Sequence, residues 1–184
     1  TLHFLERAGW WLHLLVVLGF MVYLPYSKHL HILFAFPNAY FADLDPTKGR
    51  MKHMPRIEQE IRLMLGQPVE APSDEPVRFG AKDVEDLSWK SLLDAWSCTE
   101  CGRCTAACPA SQTGKLLSPR KIMMDTRDRL EDKIQFRTQN GSDADDGKTL
   151  LHDYISVEEL RACTTCNACV EECPVSINPL NIIL

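Results

Sequence analysis

Cys98-Thr99-Glu100-Cys101-Gly102-Arg103-Cys104-Thr105-Ala106-Ala107-Cys108-Pro109 spells C-x2-C-x2-C-x3-C-P, and Cys163-Thr164-Thr165-Cys166-Asn167-Ala168-Cys169-Val170-Glu171-Glu172-Cys173-Pro174 spells it again. These quartets contain all eight cysteines of the chain. Three thiolates on one tight loop can converge on a single 4Fe–4S cubane, while the fourth, entering a helix that points away, is better placed to hold the other cluster. The expected sets are therefore Cys98, Cys101, Cys104 and Cys173 on cluster 1, and Cys163, Cys166, Cys169 and Cys108 on cluster 2. Zinc is the main alternative, but structural zinc sites draw their cysteines as separated pairs. Disulfides are the other, and a reducing compartment disfavours them.

Helix signals surround the quartets. Asp83 can cap a helix carrying Val84, Leu87, Trp89, Leu92, Leu93 and Trp96. Ser118-Pro119 is a cap and first-turn pair for a helix through Ile122, Met123 and Leu130. Ser156 with Glu159 forms a capping box ahead of Leu160 and Cys163. Asn140 to Asp146 is a polar loop, and its Asn140-Gly141-Ser142 reads as a turn rather than a used sequon. Arg103, Lys115, Arg120 and Lys121 either offset the charge of thiolate-bound clusters, form a docking face, or are simply solvated.

Ahead of this domain the composition changes. The chain has 184 residues, a net charge of −5 and 45% hydrophobic residues, yet Ala8 to Ser27 holds no charge at all. Twenty residues at ~1.5 Å each reach about 30 Å, the thickness of a bilayer's hydrocarbon core. Trp10 and Trp11 at one end and Tyr23 and Tyr26 at the other suit the two interfaces. A cleaved signal peptide would have a shorter apolar stretch ending in small residues. Only Arg7 precedes the span, whereas Lys28, Lys48, Arg50, Lys52 and Arg56 follow it, so the cysteines are expected on the cytoplasmic side of the cell membrane. The acidic balance excludes a nucleic-acid partner, which would call for a basic face.

His13 and His31 are 18 residues apart. On one continuous helix that is five whole turns, putting both imidazoles on one face, ~27 Å apart along the axis. Histidine within a span is costly to bury unpaired, and imidazole is a good axial ligand of haem iron. A hydrogen bond to a neighbouring helix is the plainer role for His13, and a snorkelling or structural role for His31. From Pro37 to about Ala81, six of eleven prolines loosen the pattern into a connector. One helix is expected there, opened by Pro55, lined by Ile57, Ile61, Met64 and Leu65, and closed by Gly66.

Two resemblances join these parts. Leu24-Pro25-Tyr26-Ser27-Lys28 ahead of His31-Ile32, with His13 upstream, resembles the last helix of the cytochrome b (gamma) subunit of respiratory nitrate reductases. That resemblance implies b-type haem at His13 and His31, with the second axial ligands on other cytochrome b helices outside this sequence. Residues 83–184 resemble the α-helical ferredoxin domain of the heterodisulfide reductase C-type and succinate dehydrogenase iron–sulfur families. The combination is similar to membrane iron–sulfur proteins related to heterodisulfide reductase, including ETF:menaquinone oxidoreductase-like proteins. It implies a CCG-domain or flavoprotein redox partner and menaquinone or ubiquinone as substrate.

The expected architecture is mainly α, with one transmembrane helix followed by an α-helical ferredoxin domain binding two 4Fe–4S clusters. Residues 1–36 form the cytochrome b-like helix, 37–82 the proline-rich linker and 83–184 the dicluster domain. Thr1 in place of Met and the apolar Ile182-Ile183-Leu184 ending suggest a segment of a longer chain. No phosphate-binding loop, nucleotide fingerprint, HExxH or nucleophile elbow occurs, so no catalytic residue is expected in the segment itself. The expected role is electron relay to quinone within an oxidoreductase complex. The alternatives are a membrane-anchored redox sensor and a structural cluster module.

Overall fold

The structure is a computed structural model that describes residues 2–42, 55–67 and 80–184, and among these residues it is helical without a strand. Helix α1 (Leu2–Tyr23) has no buried residue. With the following 3-10 turn it makes one apolar stretch, Leu2–Tyr26, long enough to cross a membrane, the one such stretch among the described residues.

Pro25 ends the α ladder. It lies in the first turn of the 3-10 segment Leu24–Tyr26, and Ser27 after it is fully extended (φ −123°, ψ 163°). A proline lacks the donor that would continue the helix, and its ring collides with the carbonyl four residues back. Ser27 then caps a second 3-10 turn, Lys28–Leu30, by accepting from the His29 amide. Helix α2 (His31–Tyr40) follows, running through Pro37. The 100° count from His13 to His31 is therefore interrupted, and it does not establish a shared face.

Helix α3 (Pro55–Met64) stands where the proline and the apolar spacing put it, with Gly66 in the left-handed conformation (φ +68°) just beyond. Residues 43–54 and 68–79 of the expected linker, including Lys48, Arg50 and Lys52, lie outside the described residues.

Asp83 opens something shorter than expected. It caps a single 3-10 turn, Val84–Asp86, in a reciprocal box with Asp86. Leu87 is extended, and Ser88 starts helix α4 (Trp89–Ser97) with its own cap to the Ser91 amide. After the first cysteine loop come α5 (Arg103–Ala106) and α6 (Pro109–Gln112). Helix α7 (Pro119–Asn140) begins at Ser118-Pro119, whose hydroxyl accepts from the Lys121 amide. A kinked turn at Leu150–Tyr154 leads to α8 (Val157–Arg161), opened by the Ser156–Glu159 capping box. Helices α9 (Ala168–Glu171) and α10 (Leu180–Ile183) complete the chain.

Helix α7 organises two cores. Ile122 joins Val84, Leu117, Leu150, Ile155, Leu180 and Ile183, with Cys108 and Cys169 among them. Its neighbour Met123 faces Ala95, Ile177 and Cys98. Cysteines thus form part of the packed interior in both. Farther along, wholly buried Arg129 donates to Asp83 through Nε at 3.0 Å and Nη2 at 2.9 Å, and to Asp146 at 2.5 Å. Lys133 adds a 2.7 Å bond to Asp83. This network ties the start of the domain to α7 and to the loop before Leu150.

Helix α2 docks on the same domain. The buried Asn38 donates to the Val175 carbonyl at 2.9 Å and accepts from Lys90 Nζ at 2.8 Å. Lys90 also bonds Asp94 at 2.5 Å, and Ser97 Oγ donates to the Phe34 carbonyl at 3.2 Å. The Phe34 and Trp96 rings lie 6.2 Å apart. The other face of α2 stays open, with Ile32, Leu33, Phe36 and Tyr40 exposed, and Trp89 beside it stacks edge-on against Phe41 at 5.2 Å.

Candidate iron–sulfur centres

Each cysteine loop is shaped by left-handed residues at matching places. Glu100 and Thr165, two residues after the first cysteine, have φ of 56° and 55°. Gly102 and Asn167, one residue after the second cysteine, have φ of 80° and 60°. Glycine and asparagine are the residues that adopt this conformation most readily, which explains their presence between the second and third cysteines. The turn aims amides at sulfur: Thr165 N–H donates to Cys163 Sγ at 3.4 Å. Beyond the second loop, Ser176 (φ 56°) allows Ile177 N–H to donate to Cys173 Sγ at 3.3 Å.

Each fourth cysteine lies toward the other quartet. Cys98, Cys101, Cys104 and Cys173 line one small cavity between α5, α9 and the segment 173–179, together with Arg103, Arg120, Met123, Ile177 and Cys169. Cys173 bears electrostatically on Cys98 and on Cys104. On the other side Cys108 bears on Cys163, and both bear on Cys169. Cys108 is the cap residue of α6, whereas Cys173 precedes a turn rather than a helix. Cys169 lines the first cavity and is acted on by Cys104, so the two groups adjoin where α5 meets α9.

Burial pushes the Cys98, Cys104 and Cys163 thiols up, because the charged form loses its water. Burial, reinforced by four neighbouring cysteines, pushes Cys169 up to about 12. Cys101 is exposed and moves the other way, chiefly through the Arg103 amide. Such a donor set suits a group that brings its own positive charge and displaces the thiol protons. Amide-to-sulfur bonds and partial burial fit thiolate-held iron–sulfur clusters. Among the described residues no three His, Cys, Asp or Glu side chains close around a point as a single metal ion requires.

The other candidates fall as follows. Arg103 and Arg120 line the first cavity, and Lys121 is engaged by Asp125 at 2.7 Å and Glu159 at 2.8 Å. Arg127, not singled out by its sequence context, is buried, bonds Glu100 at 2.7 Å and acts on Cys98. His13 lies exposed on α1, and His31 begins α2 with its ring 6.2 Å from that of His29. The structure does not bring either histidine to the cysteines.

Residues 90–174 match the family described as 4Fe-4S dicluster domain. Over 91% of its length the chain is 33% identical to the protein named "Probable iron-sulfur-binding oxidoreductase FadF" of Bacillus subtilis, of which it covers 26%. It is 30% identical over 94% of its length to the "EtfAB:quinone oxidoreductase" of Syntrophomonas wolfei, covering 24% of that protein. The "Probable membrane-anchored ferredoxin" of Chromohalobacter salexigens is 29% identical over 86% of the chain, again with 24% of the relative covered. The chain thus spans about a quarter of the length of these curated relatives. No solved structure matches it.

Proposed function

We propose that this chain, an iron–sulfur electron-transfer protein related to quinone oxidoreductases, is a membrane-bound relay. It passes electrons between a cytoplasmic redox partner, a CCG-domain protein or flavoprotein, and a quinone, menaquinone or ubiquinone. The observation that carries this reading is that Cys173 lines one cavity with Cys98, Cys101 and Cys104 while Cys108 lies toward Cys163, within a domain onto which the segment after the apolar helix is docked. Cys98, Cys101, Cys104 and Cys173 would hold one 4Fe–4S cluster, and Cys163, Cys166, Cys169 and Cys108 the other. Each cluster, when bound, takes up or gives up one electron without making or breaking a substrate bond.

The chain's own residues set the conditions for that exchange. The left-handed turns fix amides toward sulfur, the buried cysteines keep water from the centres, and α2, which follows the apolar stretch, docks on Val175 in the wall of the first cavity. The apolar stretch and the likeness to a membrane-anchored ferredoxin support placement in the cell membrane, with the cluster domain on the cytoplasmic side. His13 and His31 would each give one axial nitrogen to a b-type haem, the second coming from other helices of the complex.

Quinone reduction by the purified membrane complex tests the reading. The wild-type complex should contain about eight cluster irons per chain and reduce quinone at catalytic rates, and Cys101→Ala should hold about four and lose turnover. Unchanged iron in that variant, or undiminished turnover, would overturn the assignment.

A further inference from the structure

The two cysteine loops share a backbone and differ in charge. In the first, the Glu100 carboxylate accepts from Arg127 Nη2 at 2.7 Å, and the Arg127 side chain is only 5% exposed. Asp128, half exposed, is a more distant partner at 3.5 Å. In the second loop the matching residue is Thr165, whose hydroxyl turns back to the Thr164 carbonyl at 2.8 Å. Arg103 and Arg120 line the first cavity, where Glu172 is the acid on the wall. The residue that matches Arg103 in the second loop is Ala168. Solvent access differs little: each loop exposes its second cysteine and covers the others in whole or in part.

Local charge and amide bonds to sulfur are the levers a protein has on a cluster's potential once cluster type and exposure are alike. Taking up an electron adds negative charge, and a cation fixed in a poorly hydrated wall stabilises that charge more than one in water. Arg127 contributes both levers. Its 2.7 Å bond fixes Glu100 in the left-handed turn two residues after Cys98, and its guanidinium sets a buried positive charge beside that cysteine loop.

We propose that Arg127 is a positioning residue of the first cluster site, and that its buried charge, with Arg103 and Arg120, makes the Cys98–Cys101–Cys104–Cys173 site the higher-potential of the two. The inference rests on the two-cluster reading above. One electron leaving a reduced cluster at the second site reduces the first by one, so a singly reduced chain holds its electron at the first site. That site adjoins α2 through Val175 and Ser97, so the electron rests on the side of the membrane segment.

An EPR-monitored redox titration of the anaerobically purified membrane complex decides it. Two one-electron waves are expected in the wild type, and Cys101→Ala should remove the higher one. Arg127→Gln should move that wave to lower potential and leave the other in place, whereas Arg127→Lys, which keeps the charge, should restore most of the shift. Loss of the lower wave in Cys101→Ala, or a wave unmoved by Arg127→Gln, overturns the inference. Should Arg127→Gln not fold, Arg127→Lys and Cys101→Ala still order the waves. A wild-type protein with fewer than two waves overturns the cluster reading itself.

Discussion

Arg129 has no exposed side-chain surface, and its guanidinium serves two carboxylates, Asp83 and Asp146, and the Lys148 carbonyl. Asp83 in turn accepts from Arg129, Lys133 and the amides of Val84 and Leu150. Removing one partner of such a group leaves a buried charge without compensation, which typically costs about 3–5 kcal/mol. Arg129→Met should therefore lower the unfolding midpoint of the domain sharply, while the paired change with Asp83→Asn should cost less than the sum of the two. Burial alone would raise the Asp83 carboxyl, but the hydrogen bonds from Arg129 and Lys133 outweigh it and hold it well below the usual carboxylate range. A depressed carboxylate contributes stability that is fully present above its unfolded value near 3.9 and is lost as pH falls through the folded one. Stability measured against pH should fall below about pH 4 in the wild type and more shallowly in Asp83→Asn. None of this was legible in the sequence. Asp83 reads there as a helix cap, which it is for one turn, and its partners lie 46 and 50 positions away.

Elements set by neighbours in sequence were the legible ones. Ser118-Pro119 and Ser156–Glu159 start α7 and α8 because a cap and its acceptor lie within one turn. The helix opened by Pro55 and the left-handed residues of the cysteine loops follow the same local logic. Helix α2 does not. It reads as the tail of a span and the start of a tether, whereas Asn38, Lys90, Asp94 and Val175 seat it on α4 and the segment after the second quartet. The partners of Asn38 are 52 and 137 residues distant, and no periodicity announces them. Asp94 is the pivot, and burial outweighs Lys90 to hold its carboxyl above the usual range. Two variants should therefore diverge. Lys90→Met strands the buried Asp94 and should cost about 3–5 kcal/mol, whereas Asp94→Asn should cost much less. Amide hydrogen exchange over 31–40 reads the difference, with protection lost in the first variant and largely kept in the second.

At the scale of the whole molecule, the paired quartets, the apolar stretch and the order in which they follow one another come from composition and spacing, and the dicluster match over residues 90–174 agrees with the first of these. The phase between His13 and His31 cannot be counted along one helix, because Pro25 and Ser27 interrupt it. The proposed exchange of fourth cysteines needs the chain to bring Cys108 toward Cys163 across 54 intervening residues, and α7 spans much of that interval while packing against both cores. On the proposed reading, two electron-accepting sites would adjoin at Cys104 and Cys169, one of them beside α2. Rapid freeze-quench EPR of the reduced membrane complex, mixed with quinone, tests the relay most directly. The account predicts two distinct reduced-cluster signals that both disappear no more slowly than quinone turns over. Persistence of either signal while quinone is reduced, or the presence of only one signal, would contradict it.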